Sequence, residues 1–409
     1  MRNTCLYILF GLLFSISGFA QQIKTDVVVW GNGPAALAAG IQSARSGVKT
    51  LVIMGDEKLI FSPLADLVST NHSPSLQSGI WAEFARKYSR TKEVNGKLPN
   101  RLNLSSDSAA VVLKAISDTV KRLSQIKNVS ISEIKRSGKG WQLRLKNGQK
   151  VKTSLLVDAS SNHQLSKQLT LKLNDTISTK IDWRQTGFRT SLAVLDPATI
   201  LPPQALIPEK TENVVVIPSI ESPVSAMHAG QAGGAVAAYC TFFKTNTKNL
   251  NVRLIQSELL TYQSALIPFG DILPSDSNFV KIQHIALSGL MNAGMIEKEG
   301  VFYFMPHNTV STEELKLPMK TFYSRSQIWL ADHPSEKLTI EETINLIMYT
   351  ATRGEELRRE VERAWKDSFG FKSEYEPKRA ITRWEFAILL DAYLQPFNSQ
   401  VDLQGHLVN

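Results

Sequence analysis

Three hydrophobic patterns follow one another along the chain. A nearly continuous apolar stretch, Leu6 to Phe19, comes first. From Asp26 the pattern switches between short buried-strand runs and small-residue helices. Asp26-Val27-Val28-Val29-Trp30 reads as a buried strand, and Ala35 to Ser46 as a helix carrying Ala36, Ala39, Gly40 and Ala44. After Gly47, Val48 to Met54 reads as a second strand. Two strands joined by a helix predict a parallel pair with a right-handed crossover. Ile80 to Tyr88 reads as a helix, and Ser105-Ser106-Asp107 caps another running to about Ser124. Short β segments are expected at Val129 to Ser132, Trp141 to Leu145 and Val151 to Val157, the last two joined by a hairpin turn at Lys146-Asn147-Gly148-Gln149. Val214 to Ile217 is expected as a strand, and Gly230 to Phe243 and Val252 to Gln263 as helices.

The third pattern begins near Asp271, with helices separated by polar loops and a faint internal repeat. Phe304-x-Pro306-x-x-x-Val310-Ser311-x-x-Glu314-Leu315 aligns with Tyr375-x-Pro377-x-x-x-Ile381-Thr382-x-x-Glu385-Phe386. Ser311 and Thr382 are N-caps, and Glu314 and Glu385 reach back as capping-box partners. The fold class read from these patterns is α/β, a Rossmann-like domain with inserted β segments followed by a mostly helical domain.

The apolar start has the form of a secretory signal. Arg2 supplies the positive end, Leu6 to Phe19 the apolar core, and Gly18-Phe19-Ala20 the small-x-small cleavage site before Gln21. The stretch is too short to span a bilayer comfortably, and no later segment is long and apolar enough to cross one. The expected division is a signal peptide at 1–20, a Rossmann-like domain at 21–270, a helical region at 271–398 and a tail at 399–409. A length of 409 residues suits two or three domains at roughly 150 residues each. The chain is expected to be exported, periplasmic or secreted. Cleavage would remove Cys5 and leave Cys240 as the one thiol, so no internal disulfide is expected. Cys240 lies in an Ala-rich helical stretch and reads as a buried small apolar residue. The net charge of +9 comes from scattered residues with no dense basic run, which argues against nucleic acid as a partner.

The turn between the first two strands carries a mechanism. Gly31-Asn32-Gly33-Pro34-Ala35-Ala36 has the spacing G-x-G-x-x-[G/A] after an apolar strand. Gly31 allows the tight turn, and Gly33 lets backbone approach a pyrophosphate. Ala36 permits close helix–strand packing, and the helix start presents free N–H groups to phosphate. A nucleotide site of this kind needs Asp or Glu at the end of the second strand for a ribose hydroxyl. Met54 stands there, with Asp56 and Glu57 just beyond. Two readings stay open: one of these neighbours takes over, or the adenosine half of the site is lost.

Val28 to Met54, with Gly-x-Gly-Pro-Ala-Ala and Ala44-Arg45-Ser46-Gly47, resembles the FAD-dependent oxidoreductases with two dinucleotide-binding domains, and looks closest to their exported bacterial group. Gly79-Ile80-Trp81-Ala82-Glu83-Phe84 with Tyr88 is similar to a helix downstream of that group's flavin loop. Gly148 and then Leu155-Leu156-Val157-Asp158-Ala159-Ser160 resemble its I-D-A-T strand, and Ala229-Gly230-Gln231-Ala232-Gly233-Gly234-Ala235 its closing G-Q-A-A-G-T-A helix. The resemblance implies FAD as cofactor, an FAD/NAD(P)-binding type of Rossmann domain, and cofactor contacts at Gly31, Gly33, Pro34, Ala35, Ala36, Asp158, Gly230, Gln231, Ala232 and Gly233. The sequence departs from the family at Met54, in Lys58 to Thr70, which holds no glycine, and at Ser161-Asn162-His163, where Gly and an acid are usual. Tyr375-x-Pro377 with Ile381-Thr382-Arg383-Trp384-Glu385-Phe386-Ala387 resembles an S-layer-homology-type helical repeat.

No other chemistry stands out. The seven histidines have no metal-ligand spacing, and no metal is expected. His163 and His228 adjoin the presumed flavin segments as proton-donor candidates. Arg189 reads as a solvated strand charge or as a contact to substrate or flavin, and the Glu355 to Lys366 helix as a solvated face. No Gly-x-Ser-x-Gly or Walker loop occurs, and no catalytic residue is assigned. Two functions remain: an exported FAD-dependent oxidoreductase acting on a small molecule, or a non-catalytic scaffold that presents its helical region to surface glycan or protein.

Overall fold

The structure, a computed structural model, describes residues 22–55, 68–69, 74–89, 98, 101–173, 179–292, 295–298 and 301–408. The expected signal peptide, Asp56, Glu57 and most of Lys58 to Thr70 lie outside them. In chain order the elements are β1 (Ile23–Lys24), β2 (Val27–Trp30), α1 (Pro34–Arg45), β3 (Thr50–Ile53), β4 (Val68–Ser69), α2 (Gly79–Ser89), β5 (Arg101–Leu102), α3 (Ser106–Asp118) and β6 (Leu123–Ile126). Then come β7 (Ile131–Ser137), β8 (Gly140–Leu145), β9 (Lys150–Thr153), β10 (Leu155–Asp158), α4 (Gln164–Gln168), β11 (Thr179–Lys180), β12 (Ala193–Asp196), β13 (Thr199–Leu201), β14 (Val214–Val216), α5 (Pro223–Phe242) and α6 (Val252–Thr261).

The five strands β6-β3-β2-β10-β14, in that order, form a fully parallel sheet. The chain moves outward from β2 through β3 to β6, then returns to the other side of β2 with β10 and β14. The order therefore reverses between β2 and β10. Both faces of this sheet are covered, so β2, β3, β10 and β14 are fully buried and mostly apolar. Successive side chains go to opposite faces. Val28 and Trp30 meet Trp141, Leu143 and Val151 of a second sheet, β1-β9-β8-β7. Val27 and Val29 meet Ala36, Ala39 and Leu113 of the helical layer. The Rossmann-like α/β class holds, with the β7–β9 meander as the inserted β segment.

Three expected elements differ. Val151 to Val157 is two strands in two sheets: the amides of Ser154 and Leu155 both donate to the Asp26 carbonyl, and the chain crosses there from β9 to β10. The helix expected to run to Ser124 ends at Asp118, and Leu123 to Ile126 becomes the edge strand β6. Covered on one edge only, that strand carries too weak an apolar signal to be seen. The helix expected from Gly230 begins two turns earlier, at Pro223, behind the N-cap Ser222.

Beyond β14 and α6 the chain forms α7 (Phe279–Ser288), a hairpin of β15 (Ile296–Lys298) and β16 (Val301–Tyr303), α8 (Thr312–Phe322), α9 (Ser326–Asp332), α10 (Ile340–Ala351), α11 (Glu356–Asp367) and α12 (Arg383–Tyr393). The capping boxes at Ser311/Glu314 and Thr382/Glu385 are present, and Thr339/Glu342 makes a third on α10. The three pre-helix loops are laced together. The Leu338 amide donates to Val310, the Ile381 amide to Leu338, and the Arg383 amide to Asn308, each over 2.8 Å. Arg383 is buried, holding the Glu314 carboxylate at 2.6 Å and the Phe304 carbonyl at 3.0 Å. One apolar core runs from Val27 through Phe304 and Leu389 to Phe397, so the helical region packs on the sheet domain. The tail folds back on the sheet domain: Thr186 donates to Gln404, and Arg253 to Ser399.

Candidate functional site

A cavity of about 370 Å³ opens at the carboxyl edge of the parallel sheet. Segments following all five strands line it: Asn32 to Ala35 after β2, Gly55 after β3, Ser130 after β6, Ala159 to Asn162 after β10, and Ile217 to Glu221 after β14. Ligands of open parallel sheets bind at this place, where the strand order reverses. The volume lies at the lower end of the range for small-molecule sites.

Two helices begin at this cavity. Gly33 is the N-cap of α1, and Pro34 follows it in the first turn. Ser222 is the N-cap of α5, and Pro223 follows it likewise. First-turn amides have no partner inside the helix, and the helix dipole places positive charge at its start. Gly33, Pro34, Ala35, Pro223 and Ala226 all line the cavity. Glu221 is the one charged residue lining it among the described residues.

Gly31 and Ala36 stand behind this surface. Gly31 has φ +149°, and a Cβ there would lie 2.5 Å from the Ala159 carbonyl oxygen and 3.1 Å from the Ala36 Cβ. The turn therefore nests against the exit of β10, and only glycine fits. Gly31→Ala is expected to cost about 2 kcal/mol, the size of strain at a glycine-only conformation, and to displace the turn. A urea titration reads the cost; a midpoint equal to wild type would show that the turn adapts.

Asp158 does not line the cavity. Its carboxylate is buried and accepts from the Ser160 amide (3.2 Å) and hydroxyl (2.6 Å), and from the Ser166 amide (2.7 Å) and hydroxyl (2.6 Å). It fixes the loop 159–162, which does line the cavity. This is a positioning role, one step removed from the direct contact that the resemblance implies.

Gly230, Gln231, Ala232 and Gly233 sit inside α5, away from the cavity. A Cβ on Gly230 would lie 2.2 Å from the Ala35 carbonyl, and one on Gly234 2.4 Å from that of Ala39. These two glycines let α5 and α1 lie side by side in parallel. With Gly230 level with Ala35, α5 starts six residues further back than α1, about 9 Å along the axis. Those extra turns bring Pro223 and Ala226 to the cavity wall. Gln231 accepts from the Ile80 amide (3.0 Å) and donates to Gln42 (2.8 Å), so it ties α2 and α1 to α5. Ala232 is fully buried, and Gly233 faces Ile217 and Val215. Ser222-Pro223, a cap followed by proline, is the signal in the sequence that marks the true helix start.

Met54 is buried, 6% exposed, within the helical-layer core. The end of β3 thus offers the cavity no carboxylate among the described residues, and Gly55 takes the lining position beside the Trp30 ring. Cys240 is buried, and burial pushes its thiol up to about 12. Arg189 lies between the rings of Phe188 and Phe322 and reaches the Gly405 carbonyl, far from the expected flavin contact. His163 adopts φ +50° as the residue before α4 and does not line the cavity.

His228 is also outside the cavity. It is buried, and its Nδ1–H donates to the Val194 carbonyl over 2.9 Å. Burial lowers its pKa against the pull of two backbone carbonyls. The folded state therefore keeps it neutral where the unfolded chain takes up a proton. Its contribution is complete above the unfolded value of about 6.5 and is lost as pH falls below it, at up to about 1.4 kcal/mol per pH unit. Urea midpoints measured from pH 7.5 to 5 are expected to fall, and His228→Gln to flatten the lower part of the curve.

Compared with known proteins, residues 26–168 match the family model described as FAD dependent oxidoreductase. FAD is the cofactor that this match assigns to the glycine-turn region. The matched segment is under half of the 409 residues. No curated protein matches the chain. Among solved structures the chain is similar to p-nitrophenol 4-monooxygenase PnpA from Pseudomonas putida DLL-E4, at 14% identity over 40% of this chain and 47% of that one, TM-score 0.30. It is similar to NikD, an unusual amino acid oxidase, at 13% identity over 37% and 55%, TM-score 0.30. It is also similar to OxyS anhydrotetracycline hydroxylase from Streptomyces rimosus, at 13% identity over 65% and 72%, TM-score 0.36. In the first two, the match spans about half of the solved chain.

Proposed function

We propose that this chain is an exported oxidoreductase that binds FAD across the carboxyl edge of its parallel sheet and acts on a small molecule. One observation carries the reading: segments following all five strands, with the starts of α1 and α5, surround a single cavity. Gly33 and Pro34 leave the approach to the first turn of α1 free of bulky side chains. The pyrophosphate would rest there, with Asn32, Ser160, Ser161 and Asn162 as the neighbouring polar groups. No lysine or arginine lines the cavity among the described residues, so phosphate charge falls to the helix starts, each contributing about 0.3–1 kcal/mol. Bound FAD supplies the two-electron redox chemistry, and the protein orients it and shields it from water.

Titration of purified protein with FAD, followed by flavin absorbance and fluorescence quenching, tests this. Saturable binding is expected, weakened in Gly31→Ala. No flavin on purification and none after reconstitution would overturn the reading. Export rests on Arg2, the Leu6 to Phe19 stretch and Gly18-Phe19-Ala20. N-terminal sequencing of the protein from its native host is expected to begin at Gln21; a retained leader would count against export.

A second reading is favoured by Met54, buried where a ribose-binding acid belongs, and by Glu221 as the one charge on the cavity among the described residues. In it the sheet domain is a scaffold without FAD, and the helical region binds surface glycan or a protein partner. Tight FAD binding with turnover of an electron donor removes this alternative.

A further inference from the structure

Cations that are scattered in the sequence are gathered by the fold. A second cavity, of about 790 Å³, opens where β10 begins, at the edge of the parallel sheet opposite the glycine turn. Arg136, Lys139, Lys210, Lys244 and Lys248 line it, against one acid, Glu212. Lys248 holds that acid at 3.2 Å. Arg136 is engaged, stacked 3.8 Å over the Trp141 ring and donating to the Glu212 carbonyl. Lys139, Lys210 and Lys244 are exposed and make no ion pair among the described residues.

An apolar groove adjoins this cavity across the last turn of α5. Tyr239, Phe242, Phe243 and Leu254 line it, with Glu258 as its one acid. Phe242, Phe243 and Leu254 are 62%, 54% and 47% exposed. The ring of Phe243 lies 5.1 Å from that of Phe242 and 5.0 Å from that of Tyr239. Large apolar side chains beside free lysines form the pairing that holds a protein at the surface of an anionic bilayer: rings enter the headgroup layer while ammonium groups meet lipid phosphates. Lysine acts as a mobile point charge, which suits a diffuse anionic surface better than a ligand of fixed shape.

We propose that this edge of the molecule docks on membranes of acidic phospholipids, through Phe242, Phe243 and Leu254 with Lys139, Lys210 and Lys244. In that orientation the glycine-turn cavity, at the opposite edge of the sheet, stays open to small molecules. The test is co-sedimentation of the full chain with vesicles of phosphatidylglycerol and phosphatidylcholine, against phosphatidylcholine alone. Binding is expected only to the acidic vesicles, falling as salt rises. Phe242→Ser with Phe243→Ser, and separately Lys139→Glu with Lys244→Glu, are each expected to weaken it about tenfold or more with unchanged thermal midpoints. If the glutamate pair folds poorly, Lys139→Gln with Lys244→Gln replaces it. Absence of binding, equal binding to neutral vesicles, or variants that bind like wild type would each overturn the proposal. So would a wild-type dimer that the phenylalanine pair dissolves, since a second copy would then occupy the groove.

Discussion

Gly230→Val is expected to lower the free energy of unfolding by about 3 kcal/mol or more, because its side chain has nowhere to go. The Cβ alone would stand 2.2 Å from the Ala35 carbonyl oxygen and 2.8 Å from the Ala35 Cα. Both are backbone atoms, so no rotamer change relieves the clash. The helices α1 and α5 must separate along a face that also holds Gly234 against Ala39. Movement of α1 carries the glycine turn with it, so FAD affinity is expected to fall alongside stability. Gly187→Ala is the control: nothing lies within 4 Å of a Cβ there, and the change is expected to stay within about 0.5 kcal/mol. Chemical denaturation of the two variants measures the difference. If Gly230→Val matches the control, the close parallel packing of these helices is not what holds the domain.

Asp158→Ala is expected to cost about 4 kcal/mol. The carboxylate is fully buried and accepts four hydrogen bonds from Ser160 and Ser166. Removing it strands two amides and two hydroxyls in a site with little access to water, at about 1–3 kcal/mol for each group left unpaired, offset where a hydroxyl turns to a new partner. Asp158→Asn keeps the shape and one acceptor oxygen, and is expected to cost about half as much. Because Asp158 fixes loop 159–162, both variants should also weaken FAD binding although the carboxylate faces away from the cavity. Urea midpoints and FAD titrations on the same samples separate the effects. Full stability with lost FAD binding would instead make Asp158 a direct ligand contact.

The parallel start of the sheet domain was legible because its signals are local. An apolar run, two glycines at fixed spacing and an Ala-rich helix require one another over some thirty residues, and Gly31, Gly33 and Pro34 stand where that pattern puts them. The capping boxes at Ser311 and Thr382 were legible for the same reason. The third, Thr339 with Glu342, obeys the same spacing and has its proline at Pro334, but carries Asp332 where the others have an aromatic. Gly230 misled because small residues serve equally to admit a ligand and to admit a neighbouring helix. Composition does not distinguish the two, whereas the Ala35 carbonyl lying beside Gly230 does.

By itself the sequence determined the βαβ start, the turn that can take a pyrophosphate, and the change to capped helices after Asp271, since each is written in neighbouring residues. Only the tertiary structure decided where β6 and β14 pair and that Asp158 supports a loop. Only it decided that α5 opens at Ser222, and that lysines from three separate segments meet beside Phe242. Those outcomes depend on contacts between residues far apart in the chain, and no local pattern encodes the partner across such a gap.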